Sequence, residues 1–209
     1  KVLCVTTIAE MDSVRQNVSS FVASTSGALP VIALDCEWVA IPEGKVAVVT
    51  ICHPGISPGW DIAVIHLAAM GFTMPHSLKL LLESDDIAWA GSRIKSADRR
   101  KLMEDYGLDL HGWVPGLSMI DLAKFGRRKK AHKASNTGLA KMVRVHVKKI
   151  LPKPADIRVS FHWGKTPLPI QVRRANHMCV VVLCVSLCRA YVLVAHHCIY
   201  SVAHQLCSH

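Results

Sequence analysis

A chain of 209 residues that is 51% hydrophobic has room for one sizeable core and a short appendage, which excludes a disordered polypeptide. A formal net charge of +10 and a pI near 9.4 favour polyanionic partners, nucleic acid first and an anionic membrane surface second. No apolar run of signal-peptide length opens the chain. Cys4, Cys36 and Cys52 form no C-x-x-C pair, which suits reduced thiols and a nuclear or cytoplasmic setting. A start at Lys1 rather than Met is the expectation of a domain taken from something longer.

In chain order, residues 2–7 predict a strand and 11–23 a helix, with a loop over 24–30. The β-branched run 31–37 is the first confident strand, 45–52 the second and 60–67 the third, and the short connections between them imply an antiparallel meander. Pro75 starts a helix with Leu78, Leu81 and Leu82 on one face. Residues 87–90 predict a short strand running into Gly91, and 97–106 a helix that stops at Gly107. A further helix follows Thr137, with Leu139, Met142 and Val143 inward and Lys141, Arg144, Lys148 and Lys149 outward. Strands that first meander and then alternate with helices point to an α/β domain with a mixed sheet.

The most informative segment is Val31-Ile32-Ala33-Leu34-Asp35-Cys36-Glu37-Trp38. Alternate residues of a strand share a face, so Asp35 and Glu37 leave the strand side by side while Cys36 turns away. Carboxylates held that close repel one another unless a cation lies between them, and hard divalent ions such as Mg²⁺ or Mn²⁺ take oxygen ligands of this kind. Two solvated acids at a strand end are the simpler alternative. Ala88 to Asp98 then has the form strand, glycine turn, helix start, acid. Alone, Asp98 reads as an N-terminal acid facing a helix dipole.

Together these segments resemble the DEDD 3′–5′ exonucleases, of the type found in the Werner-syndrome helicase and ribonuclease D. The family's first motif, D-x-E-W, is Asp35-Cys36-Glu37-Trp38, and its next strand is similar to Val46-Ala47-Val48-Val49-Thr50-Ile51. The second motif matches Gly91 to Asp98, preceded by a leucine-patterned helix from Pro75 to Leu82 and followed by Lys101 to Gly107. Met119-Ile120-Asp121-Leu122-Ala123 resembles a family strand and turn, and Gly138 to Val143 a family helix. Ile157 to Ser160, Trp163, Leu168 and Gln171 resemble the approach to the last motif. The resemblance implies a ribonuclease-H-like mixed sheet flanked by helices over residues 1–171. It also implies two-ion (Mg²⁺ or Mn²⁺) hydrolysis of terminal phosphodiesters on DNA or RNA with a 3′ end, and no small-molecule cofactor. By carry-over, Asp35 bridges both ions, Glu37 holds the one that activates water, and Asp98 helps to hold the other.

The last motif departs from the pattern. The family places a Tyr there and, four positions on, an Asp; this chain has Arg174 and Met178, and no Asp or Glu follows Asp156. The expectation is a weak or inactive nuclease, or a nucleic-acid-binding or scaffold module on the same fold. Residues 172–209 change character, with five of the eight cysteines, five of the twelve histidines and no acid. Zinc ligation by Cys179, Cys184, Cys188, His196, His197 and Cys198 matches no standard module spacing. A membrane segment over 178–195 includes Arg189 and sits at the short limit for spanning, and would make a tail-anchored protein. A buried final helix is the plain alternative. The favoured reading is a continuation foreign to the family, a valine codon after Gln171 having the GT that opens an intron.

The densest basic run contains Arg127, Arg128, Lys129 and Lys130, read as a solvated loop, a phosphate-contacting surface or a nuclear-import signal. Lys153 and Arg158 add to that surface. Trp38 and Trp89 are expected in the core. His66, His146 and His162 are expected at the surface or half buried. Oligomeric state is not legible.

Overall fold

The computed structural model describes residues 2–25, 30–39, 44–53, 62–110, 119–122 and 161–167, together with Lys124, Lys141 and Arg144. Strands β1 (Val2–Val5), β2 (Val31–Trp38), β3 (Val46–Cys52), β4 (Ile62–His66), β5 (Ala88–Gly91) and β6 (Met119–Asp121) form one six-stranded sheet in the order β1-β4-β3-β2-β5-β6. The meander is as expected: β2 with β3 and β3 with β4 are antiparallel. β1 adds to β4 in parallel at one edge, and β5 and β6 extend the sheet in parallel beyond β2. The sheet is therefore mixed, with β2 at the junction between its antiparallel and parallel halves.

Helices α1 (Ile8–Ser24), α2 (His76–Leu82) and α3 (Asp98–Tyr106) follow local rules. α1 begins three residues earlier than the expected 11. Thr7 Oγ1 accepts the Glu10 amide while Glu10 Oε2 accepts the amides of Thr6 and Thr7, a capping box at the first turn. α3 stops where Gly107 takes φ +63, and the amides of Gly107 and Leu108 close on the carbonyls of Met103 and Leu102.

The sheet separates two apolar layers, as the period of two requires. On one face Ile32, Leu34, Cys36, Val49, Ile51 and Ile65 pack with Met11, Val14, Val18 and Phe21 of α1 and Leu78, Leu81 and Leu82 of α2. On the other, Ala33, Val48, Cys52, Val64 and Ala90 pack with Leu122 and Trp163. Trp163 belongs to a short 3₁₀ segment, Phe161–Gly164, and is fully buried, so the core extends at least that far along the chain. Trp89 is also fully buried, its indole N–H donating to the Leu82 carbonyl at 3.1 Å, and Trp38 packs at the core's margin.

Two expectations are corrected. His66 is buried, because it ends β4 on the Trp163 side of the sheet, and its Nε2 lies 3.2 Å from the Trp163 carbonyl oxygen. Cys4 and Cys36 are free thiols, as expected, but Cys52 is disulfide-bonded. The helix expected after Thr137, His146, the side chain of His162 and the tail 172–209 lie outside the described residues. Among the described residues, no helix is long and apolar enough to cross a membrane.

Candidate active site

Asp35 and Glu37 lie on β2 on the Trp163 face of the sheet, where the apolar layer gives out toward the end of the strand. Glu37 is buried at 9% exposure and Asp35 is half buried. Asp35 stands opposite Thr50 on β3, and the register shifts between Glu37 and Trp38. Such a bulge re-aims the side chains next to it.

Asp98 is the first residue of α3 and only 4% exposed. β5 pairs with β2 only over Val31 to Ala33, so β2 runs on past the end of its parallel neighbour. There the Cys36 amide lies near enough to the Asp98 carboxylate to favour its charged form. An acid from a distant helix thus comes up to the strand where its parallel neighbour has ended. Gly91 makes this approach possible. A Cβ at that position would stand 2.6 Å from the Leu34 carbonyl oxygen, a distance side-chain carbons do not tolerate.

The electrostatics follow from this geometry. Burial pushes the Asp98 carboxyl well above the usual carboxylate range, and the Asp35 charge pushes it further; the Cys36 amide opposes this, and the Glu37 charge again adds to it. The Cys36 thiol is raised first by burial and then by Asp98, Asp35, Glu37 and Asp105. Three carboxylates thus share one poorly solvated region, each disfavouring the charge on the next. The donor set is the hard-oxygen set that suits Mg²⁺ or Mn²⁺. As placed, the side chains do not converge on one point: among the described residues no group of three or more His, Cys, Asp or Glu is arranged to hold a metal ion.

Of the other expected site residues, Arg127, Arg128, Lys129, Lys130, Arg158, Arg174 and Met178 lie outside the described residues. Two further acids lie on neighbouring elements; Asp121 is named above only within a family-like strand and turn, and Asp105 is not singled out. Asp105 is half buried on α3; its carboxylate accepts the Val46 amide at 2.7 Å and the Lys101 ammonium at 2.8 Å. The Lys101/Asp105 spacing of four on a predicted helix was the available signal. Asp121 is 7% exposed, ends β6 beside Gly91, and accepts the Lys124 amide at 3.3 Å.

No protein-family model matches the chain, and no curated protein does. Solved structures do. Escherichia coli RNase D, an exoribonuclease involved in structured RNA processing, superposes with a TM-score of 0.64 at 19% identity, over 93% of this chain and 44% of that one. The EXD2 exonuclease domain soaked in Mn and GMP gives 0.48 at 22% identity, over 87% of both chains. The same domain soaked in Mn and Mg gives 0.49 at 21%, over 95% of both. On the superposition with RNase D, and on its own mixed sheet with flanking helices, this chain has the ribonuclease-H-like fold of the DEDD 3′–5′ exonucleases.

Proposed function

We propose that the chain is a 3′–5′ exonuclease-type domain that acts on terminal phosphodiesters of DNA or RNA with two divalent ions, and that its chemistry is impaired. The observation that carries this reading is the burial of Asp98 at the start of α3, which sets a third carboxylate against the strand bearing Asp35 and Glu37. An ordinary N-terminal helix acid would face solvent; this one is buried against two like charges, an arrangement that a divalent ion would stabilise. Asp35, Glu37 and Asp98 are the residues that would hold the ions, and bound Mg²⁺ or Mn²⁺ would supply an activated water and stabilise the leaving oxygen. Glu37 and Asp98 are the more deeply buried members of the set, and Asp35, half buried, is the one most open to solvent.

Impairment is inferred from Arg174 and Met178 at the positions where the motif has Tyr and Asp. By analogy with deletion of single transition-state-stabilising groups in other enzymes, loss of one ligand or water-orienting group lowers the rate by about 10²–10³. The absence of any acid after Asp156 favours a second reading, a nucleic-acid-binding or scaffold module that keeps the fold without turnover.

The test follows trimming of 5′-labelled single-stranded DNA and RNA with Mn²⁺, alongside calorimetric titration of Mn²⁺. Slow 3′-end trimming that Asp35→Ala abolishes, with Mn²⁺ binding weakened in Asp35→Ala and Asp98→Asn, supports the impaired enzyme. Mn²⁺ and oligonucleotide binding without trimming moves the assignment to the binding module. Absence of both binding activities ends the nuclease reading.

A further inference from the structure

β5 and α3 are joined by residues 92–97, and both ends of this connection are fixed against β2. Gly91 abuts the Leu34 carbonyl at one end, and buried Asp98 comes close to the Cys36 amide at the other. The connection therefore lies along the edge of the carboxylate region.

Within it, Arg93 holds φ +65. A residue with a Cβ is disfavoured in the left-handed region, which glycine enters freely. The backbone has a reason to adopt this shape. The Arg93 carbonyl accepts the Ser96 amide at 3.0 Å, the Ala97 amide at 2.9 Å and the Ser96 hydroxyl at 3.2 Å, which sets up the first turn of α3. None of those bonds needs an arginine, since a glycine would form them without strain. The side chain gains nothing from the fold either: it is exposed and enters no hydrogen bond or ion pair with the described residues. Phe72, the other described non-glycine residue at positive φ (56), differs, because it packs against the apolar layer on the Trp163 face and burial offsets its strain.

A strained position that keeps an exposed arginine, unpaired among the described residues, beside the carboxylate region points to a ligand for that arginine. The nearby carboxylates repel any polyanion, and a cation at their rim offsets that repulsion as substrate approaches. We propose that Arg93 is a substrate-binding residue whose guanidinium takes a backbone phosphate of a nucleic acid entering the carboxylate region, with exposed Lys95 as a second cation on the same connection. Guanidinium matches phosphate through two parallel hydrogen bonds, which fixes the strand's position as well as attracting it. The proposal rests on the nuclease-fold reading of Asp35, Glu37 and Asp98.

The test measures binding of the full chain to a fluorescently labelled single-stranded DNA oligonucleotide with a free 3′ end, by anisotropy in EDTA across a salt series. Arg93→Gln and Arg93→Gly should each weaken binding about three- to tenfold and reduce the slope of log K against log salt by about 0.7, the share of one phosphate contact on a single strand. Arg100→Gln, on an exposed residue paired with Glu104, should leave both unchanged. Arg93→Gly should also melt at or above the wild-type temperature, since strain is relieved while the contact is lost, so its weaker binding is not a folding defect. Wild-type affinity and slope in both Arg93 variants overturn the proposal and leave the nuclease reading standing. A wild-type chain with no salt-dependent oligonucleotide binding overturns both.

Discussion

Asp98 carries two opposed loads. Its carboxylate is favoured by the nearby Cys36 amide, yet its charge is buried beside Asp35 and Glu37. The two effects separate by substitution. Asp98→Asn keeps a carbonyl acceptor and removes the repulsion, so the metal-free protein should gain about 1 kcal/mol in denaturant melts. Asp98→Ala strands a buried amide and should lose about 1–3 kcal/mol. Added Mn²⁺ should raise the melting temperature of the wild type and not of Asp98→Asn, because a ligand stabilises only the form that binds it. His66 offers a pH test. Burial lowers its pKa, with the bond to the Trp163 carbonyl acting the other way. The unfolded chain therefore takes up the proton first, so stability is complete above about pH 6.5 and falls as pH drops through that value toward the folded pKa. Between pH 7.5 and 5, His66→Gln should lose less stability than wild type, as measured by urea denaturation at each pH.

At the level of elements, α3 is held by its last turn. Asp105 accepts the Val46 amide, and the Tyr106 hydroxyl donates to the Val46 carbonyl at 2.8 Å, so two adjacent side chains grip both polar groups of the residue that opens β3. Lys101 and Asp105 are 6% and 9% exposed. Asp105→Ala would remove the bond from Lys101 and leave the Val46 amide without the Asp105 acceptor, at a cost of about 1–3 kcal/mol. Tyr106→Phe should cost about 1 kcal/mol. Equilibrium denaturation checks both. Much at this scale was legible. Alternation in Val31–Trp38 put Asp35 and Glu37 on one face, and Gly107 marked the end of α3. Thr7 and Glu10 spelled the start of α1, although the apolar spacing suggested a later one. Asp98's place beside β2 was different. It depends on β5 lying parallel to β2 with Gly91 at close approach, a non-local fact that no local periodicity encodes, and only the ordered resemblance of several motifs anticipated it. The grip on Val46 was invisible for the same reason, since its partners are 59 and 60 residues apart.

Across the whole molecule, the two apolar layers unite segments from Val5 to Trp163 around a single sheet. Trp163→Ala should cost about 3–5 kcal/mol and shift the one cooperative unfolding transition as a whole, followed by circular dichroism, rather than split off a separate phase. The mixed sheet also has unequal faces among the described residues: α1 and α2 cover one, while the other carries Leu122, Trp163, Asp35 and Glu37. The nearness of Asp98 to the Cys36 amide has a further consequence. Asp98 is the first residue of α3, so a local opening of that first turn would carry its carboxylate from β2 without any strand separating. In heavy water, that excursion would release the Cys36 proton while its neighbours in the β2–β3 ladder keep theirs. The exchange rate of one amide would then measure how often the third carboxylate leaves the other two.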